Sequence, residues 1–284
     1  MLNNKNIYNL KNLFALPAIF WIIVFFVIPV FFILVFSFFE RGTYGGVNYL
    51  FSIDNFSLVF DSLYLKTFLK TLTIAIINTF LCILLGFPLA YFISTRKKPK
   101  TKNWLLLLII LPFWTNFLIR TFSWMIILGN EGIINNTLLS LNIIVEPLNL
   151  LFTPFAVQLG MLYNYLPFMV LPIYVAIEKI DSNLLLASKD LGANQKNVFT
   201  KIIFPLSLKG LFVGVFLVFI PSLGEFIIPD LLGGAKSPMI GNIIKDQFLT
   251  SRNWPFGSAL VIMVMGLILL SIMINNKIFK SNRF

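Results

Sequence analysis

Polar and ionisable side chains inside otherwise apolar stretches are the residues of this chain best suited to do chemistry. Burying such groups in a hydrophobic medium is costly, so they face a protein interior or a water-filled path. Glu225 and Asp230 place two carboxylates near the end of one apolar stretch, where they could receive a cation. Three residues that disturb helices lie among them: Pro221, Gly224 and Pro229.

A second polar set has helical spacing. Asn116, Arg120 and Ser123 stand at positions i, i+4 and i+7, which is one face of a helix, and we expect that face to look into the protein. Arg120 must be neutralised there, either by Glu225 or by helix carbonyl groups. Asn116, Arg120 and Gln158 are interpreted as structural polar residues, and Gln158 shares a predicted face with Met161 and Tyr165.

Aromatic side chains supply a third kind of chemistry. Trp114, Tyr163 and Tyr165 could offer ring faces to an ammonium group through cation–π attraction. Because 16% of the chain is aromatic, most rings must serve packing or anchor the chain at the membrane surface. The predicted path for a cationic substrate therefore consists of these three rings together with Glu225 and Asp230.

Several other kinds of chemistry are missing from the sequence. The chain has no histidine, so it lacks the commonest metal ligand and cannot form a Ser–His or Cys–His nucleophile pair. Its one cysteine, Cys82, lies in an apolar stretch and cannot form an intrachain disulfide. No Walker A phosphate cradle is present. These observations disfavour a membrane-embedded enzyme and predict that the chain binds no metal or nucleotide cofactor.

The composition places these residues in a membrane. The 284 residues are 58% hydrophobic and only 12% charged, too apolar for a soluble domain. Six apolar runs reach the roughly 20 residues that a spanning helix needs. The predicted fold is a single all-α domain over 1–284, with spans at about 13–38, 67–94, 104–128, 155–177, 206–228 and 255–275.

Lysine and arginine positions predict the orientation. With the N-terminus inside, 15 of the 22 basic residues fall on the inner side and 5 on the outer side. This bias predicts that both termini are cytoplasmic, in a bacterial inner membrane. The net charge of +11 is therefore a topology signal, and the scatter of basic residues over many loops disfavours nucleic-acid binding.

An inner loop at about 181–205 has the pattern of a docking element. Asp181 or Ser182 is a suitable N-cap for a helix over 183–191, with an apolar face that includes Leu184 and Leu191. Gly192 suits the left-handed position that ends a helix. A second short helix then precedes Pro205, which is predicted to begin the fifth span.

This loop resembles the EAA loop of ABC-importer permeases. Ala187, Gly192, Ile202 and Pro205 match that motif. Leu186 stands where the family usually has glutamate, and Ser188 where it has a second alanine. The resemblance implies that these six residues form the coupling loop to an ATPase.

Five longer blocks resemble the permease subunits of spermidine/putrescine importers. They are residues 111–124 (LPFWTNFLIRTFSW), 128–136 (LGNEGIINN), 165–174 (YLPFMVLPIY), 223–234 (LGEFIIPDLLGG) and 254–259 (WPFGSA). The resemblance implies a type I importer permease (MetI-like) fold with a related second permease, a cytoplasmic ATPase dimer that holds the ATP, and an extracytoplasmic polyamine-binding protein. It also implies polyamine import by alternating access.

Two alternatives stay open at this point. One is an ABC permease for another substrate, such as a metal, sulfate or a different organic cation. The other is a secondary transporter driven by an ion gradient, which usually shows inverted repeats or intramembrane carboxylate clusters. Neither feature is evident in the sequence.

Overall fold

A computed structural model describes residues 16–234 and 237–281. The described chain is helical apart from one small hairpin, which confirms the predicted fold class. The hairpin was not predicted. Its strands, β1 (Phe39–Arg41) and β2 (Val47–Phe51), pair antiparallel across a turn in which Gly45 and Gly46 have positive φ. Glycine adopts that backbone conformation without a steric penalty.

Eleven helices follow one another along the described residues. Three departures from α geometry matter below: a 3₁₀ turn at Leu111–Trp114, a π segment at Phe199–Ile203, and a second π segment at Pro229–Gly233. The helices are α1 (Leu16–Phe36), α2 (Asp54–Val59), α3 (Ser62–Ser94), α4 (Pro99–Ile110), α5 (Phe117–Leu128), α6 (Ile133–Ser140), α7 (Pro154–Glu178), α8 (Ser182–Asp190), α9 (Gln195–Gly224), α10 (Ile240–Leu249) and α11 (Trp254–Ser281).

Five stretches of the described chain are long and apolar enough to cross a membrane. They are α1, α3, Phe117–Ser140, α7 and α9, and the shorter Trp254–Leu270 in α11 is also apolar. This agrees broadly with the six predicted spans, and α3 and α7 match their predicted ranges within a few residues. Residues 13–15 of the first predicted span lie outside the described residues.

The third predicted span, 104–128, is not one helix. The α4 helix passes into the 3₁₀ turn, and the backbone is extended at Thr115 and Asn116 before α5 begins. The Asn116 side chain accepts a hydrogen bond from the N–H of Leu118 at 2.8 Å, so it caps the new helix. A run of apolar residues hides such a break because hydropathy does not depend on backbone geometry.

The fifth predicted span, 206–228, also differs from the structure. Instead of a short helix followed by a span starting at Pro205, one helical run extends from Gln195 to Gly224. The π segment Phe199–Ile203 lies directly before the proline, where the i→i−4 pattern is already interrupted. At the other end the helix stops at Gly224, and Glu225 is extended.

The chain divides into two compact units. The first contains the described residues up to Leu65 and those from Ile243 onward. In it, α11 packs along α1 and α2, and the Asn55 side chain donates to the carbonyl oxygens of Ser37 and Phe39 at 3.1 and 2.8 Å. These bonds tie α2 to the start of the hairpin.

The second unit, Lys66–Asn242, is built around the pair α7 and α9. Gly210 and Gly214 lie one turn apart on α9 and face α7. The space beside Gly210 is filled by the Pro172 carbonyl oxygen and the Ala176 methyl group, so the backbones approach closely there. The spacing of two glycines four residues apart in an apolar run is typical of a close helix crossing, and the structure places one here.

We predict that Gly210→Ala destabilises the protein. The new methyl group would overlap the Pro172 carbonyl, and overpacking of this kind costs about 1–3 kcal/mol. Gly266→Ala is the matched control, because a methyl group at that helical position meets nothing within 4 Å. The thermal midpoint of the purified protein in detergent should fall for Gly210→Ala alone. Equal midpoints in the two variants would contradict the close crossing.

Candidate functional site

The segment 181–205 after α7 is held by helix caps. The Asp181 side chain accepts from the N–H of Asn183 at 2.9 Å and begins α8, as predicted. At the other end, the N–H of Gly192 bonds the Lys189 carbonyl, and the N–H of Ala193 bonds that of Ser188, at 2.9 and 3.0 Å. These two bonds form a Schellman motif. Gly192 has φ +77°, which confirms the predicted left-handed end.

Leucine side chains are exposed on α8 and at its C-terminal end. Leu184, Leu186 and Leu191 all face outward in the single chain, and Leu191 is 89% exposed. Ala187 is exposed as well, whereas Ser188 is buried and donates to the Leu185 carbonyl at 2.8 Å. The predicted apolar face is therefore divided: Leu185 and Ser188 pack inward, and three leucines are left uncovered. Leu184 and Leu191, seven residues apart, lie on one side of the helix, and we call these two the leucine face; Leu186 lies on the opposite side.

The start of α9 connects this segment to the second unit. The Phe199 ring lies 5.3 Å from Tyr91 and 5.9 Å from Phe87, both edge-on, so it packs against α3. Ile202 is half-buried, while Pro205 is exposed. From here one helical run, with the π segment Phe199–Ile203 near its start, extends to Gly224.

The other end of α9 carries a buried carboxylate with several hydrogen bonds. Glu225 is only 7% exposed. Its Oε1 accepts from the backbone N–H groups of Phe226, Ile227 and Ile228 at 3.1, 3.0 and 3.2 Å. Its Oε2 accepts from the Tyr165 hydroxyl at 2.5 Å. The carboxylate thus caps the short helical stretch that follows and binds it to α7.

Asp230 lies just beyond this cap and is exposed. One of its carboxylate oxygens accepts from the Asn242 side chain at 2.5 Å. The same amide donates to the Phe226 carbonyl at 2.8 Å and accepts from the N–H of Met239 at 2.8 Å. Asn242 was missed from the sequence because it lies outside every predicted span. Only the structure shows that it closes the backbone around the end of α9.

A second polar network joins three helices of this unit. Asn78 of α3 is fully buried and donates to the Ser222 hydroxyl of α9 at 3.0 Å. Gln158 of α7 donates to the Asn78 side-chain oxygen at 3.5 Å, which supports its predicted structural role. Asn78 was not among the predicted site residues, although an amide side chain within the apolar run 67–94 is itself a signal of a buried polar contact.

Arg120 does not pair with Glu225, although both residues lie in the described part of the chain. Its Nη1 donates to the Pro112 carbonyl at 2.7 Å, and its guanidinium lies 4.7 Å from the centre of the Phe113 ring. Arg120 therefore bridges the break between α4 and α5. The two predicted partners for the Arg120 charge were Glu225 and a helix carbonyl group, and the structure shows a carbonyl group.

The remaining predicted residues are not gathered into one place. Trp114 is 78% exposed, and Tyr163 is partly exposed with its ring against Trp124 at 5.5 Å. Asn116 and Ser123 are also exposed, so the expectation that their face looks into the protein is wrong within this chain. Asn116 is instead a helix cap, and Ser123 satisfies its hydroxyl by donating to the Ile119 carbonyl.

The chain is similar in sequence to known membrane transport proteins. Residues 82–282 match the family described as "Binding-protein-dependent transport system inner membrane component". The chain is 45% identical over 237 residues to the spermidine/putrescine transport system permease protein PotB of Escherichia coli (strain K12), which covers 82% of this chain and 86% of that protein. The same protein of Haemophilus influenzae is 44% identical over 229 residues, with 81% and 80% covered.

Solved structures show the same fold. A bacterial ABC transporter involved in the import of the acidic polysaccharide alginate matches with a TM-score of 0.73 at 18% identity, over 99% of both chains. The MetNI methionine ABC transporter in an inward-facing conformation matches with a TM-score of 0.60 at 16% identity, over 76% of this chain and 94% of that one. At these identities the likeness concerns the fold.

We predict that substitutions at Arg120 and Glu225 have additive effects. Arg120→Gln removes the bond to the Pro112 carbonyl and the cation–π contact, a loss of about 1–2 kcal/mol. Glu225→Gln weakens a separate cap. In a double-mutant cycle on thermal stability, the two losses should add within about 0.5 kcal/mol. Recovery of stability in the double variant would instead indicate a buried ion pair.

Proposed function

The chain belongs to the binding-protein-dependent transport system inner membrane components, and we propose that it is the permease subunit of an ATP-driven importer of polyamines. It is a multi-pass membrane protein. The polyamine assignment is supported by the 45% identity to a spermidine/putrescine permease over more than four fifths of each chain. We further propose that residues 1–284 form one permease domain in a bacterial inner membrane, with both termini cytoplasmic.

The leucine face supports a contact with an ATPase. Exposed apolar side chains on a capped helix outside the apolar spans are unfavourable unless another surface covers them. We propose that Leu186, Ala187, Ser188, Gly192, Ile202 and Pro205 form the coupling loop and that a cytoplasmic ATPase dimer covers the leucine face. The ATP is held by that dimer, and this chain binds no nucleotide of its own.

An open groove supports a second membrane partner. Between α7 and α9 lies a cavity of about 910 Å³, lined by apolar residues such as Phe168, Leu171 and Val213. Lys179 and Lys209 stand among its lining residues. We propose that a related second permease subunit covers this groove and shares the substrate path, while an extracytoplasmic binding protein delivers the polyamine. Lipid surrounds the remaining apolar surface.

The proposed mechanism is alternating access. Closure of the ATPase dimer moves the coupling loop, and the continuous α9 helix carries that movement over its 30 residues, about 45 Å at 1.5 Å per residue. Trp114 and Asp230 are exposed and suited to contact a cation in transit, with Tyr163 as a further aromatic contact. Tyr165 and Glu225 were predicted with them, but both side chains are buried against each other.

The assembled complex should take up spermidine or putrescine only when ATP and the binding protein are present. The measurement is uptake of labelled substrate into proteoliposomes, with sulfate and a divalent metal as competing candidates. The isolated subunit, freed of contaminating ATPase, should hydrolyse no ATP. Uptake driven by a proton or sodium gradient without ATP would favour a secondary transporter, and selective uptake of another solute would overturn the polyamine assignment.

Gly192→Val should uncouple transport from ATP hydrolysis. A side chain in the left-handed conformation costs about 1–2 kcal/mol, enough to loosen the end of α8. Gly192→Asn is the matched control, because asparagine tolerates this conformation and nothing lies within 4 Å of the added Cβ. At equal membrane abundance, uptake should fall for the valine variant and largely persist for the asparagine variant. Normal coupled uptake in Gly192→Val would refute a docking role for the loop.

A further inference from the structure

The hydrogen bond between Tyr165 and Glu225 joins the outer end of α9 to the middle of α7. We propose that these two residues form a latch, a positioning pair that makes the α9 terminus and α7 move together during transport. The latch rests on the proposed function, because it concerns the movement that an ATPase would start at the coupling loop. It assigns Glu225 a different role from the cation receptor that the sequence suggested.

The first support is the saturation of the carboxylate. Oε1 takes three backbone N–H groups and Oε2 takes the tyrosine hydroxyl, so both oxygens are occupied. All four partners are donors, which suits a group that only accepts. A passing ammonium ion would have to displace one of them inside a site that is 7% exposed. The charge is instead balanced by the N-terminus of the helical stretch that it caps.

The second support is the position of the pair. The α9 helix is continuous from the coupling loop to Gly224, and Glu225 is the first residue after it. Below the latch, Gly210 and Gly214 already hold α9 close to α7. The stretch 227–233 also packs on α7, because Ile228 and Leu232 fill the space beside Gly160. The Tyr165 bond adds a polar link at the break itself, between these two packed regions.

The third support is the packing around the break. A Cβ at Gly241 would meet the carbonyl oxygens of Gly224 and Glu225 at 2.7 Å, so the first turn of α10 lies directly on the break. Asn242 bonds the Phe226 carbonyl from the same side. The latch therefore lies at a point where α7, the end of α9 and this turn meet within one compact unit.

The test compares three variants in the complete importer reconstituted in proteoliposomes. Tyr165→Phe removes one hydroxyl and leaves Glu225 Oε2 without its donor. Glu225→Gln keeps an oxygen that accepts from the three N–H groups. Its NH₂ group can donate a hydrogen bond to the Tyr165 hydroxyl oxygen. Tyr174→Phe, nine residues further along α7, is the matched control for loss of a tyrosine hydroxyl from that helix.

We expect Tyr165→Phe to lower the number of polyamine molecules transported per ATP hydrolysed by roughly tenfold, the effect of losing one hydrogen bond to a charged group. Stimulation of ATP hydrolysis by the binding protein should persist. Glu225→Gln should keep a wild-type KM for polyamine and most of the coupling ratio. Tyr174→Phe should behave like wild type.

Two outcomes would overturn the latch while leaving the importer intact. An unchanged coupling ratio in Tyr165→Phe would do so, whether or not less complex assembles, because a merely structural bond changes abundance and not the ratio. A KM raised tenfold or more in Glu225→Gln would make Glu225 a substrate contact. Absence of ATP-dependent polyamine uptake by the wild-type complex is a separate result, which would remove the proposed function and the latch together.

Discussion

A helix within a bilayer can be interrupted only where other groups take up the backbone hydrogen bonds that the interruption frees. Among the described residues, such interruptions lie at Thr115–Asn116 and at Glu225–Phe226, and each is repaired by a polar side chain from close by. Asn116 and Arg120 serve the first, and Glu225 serves the second. The polar residues whose burial in the apolar stretches is most unfavourable are therefore those that stabilise the helix breaks.

The two repairs differ in how far they reach. Arg120 donates to a carbonyl eight residues earlier, across the break between α4 and α5, so its effect is local. Glu225 accepts from Tyr165, sixty residues away, and so links helix geometry to tertiary packing. Small residues at the α7–α9 crossing make this possible, because close backbones bring a tyrosine of one helix within hydrogen-bond distance of the end of the other. Packing and polar satisfaction depend on each other here.

Sequence reasoning succeeded where a local signal was strong. The fold class, the capping role of Asp181, the left-handed Gly192 and the glycine crossing all follow from residue types whose preferences are set by nearby backbone. It failed where the answer depended on distant partners. For Arg120 the sequence left an ion pair with Glu225 and a bond to a helix carbonyl as alternatives, and the structure shows the carbonyl. Glu225 instead accepts from three backbone N–H groups and from the Tyr165 hydroxyl. Asn242 gave no signal in the sequence, because its role depends on hydrogen bonds to Phe226 and Asp230, which only the fold brings close to it.

The burial of Cys82 has a practical consequence. Its side chain is 0% exposed, and it is the only thiol in the chain. A maleimide probe attached to an introduced cysteine, for instance at Leu191, would therefore label that position with little background from the native residue. The wild-type sequence is already a suitable parent for fluorescence or spin-label measurements of how α8 moves, without first replacing a native cysteine in the densely packed α3 helix.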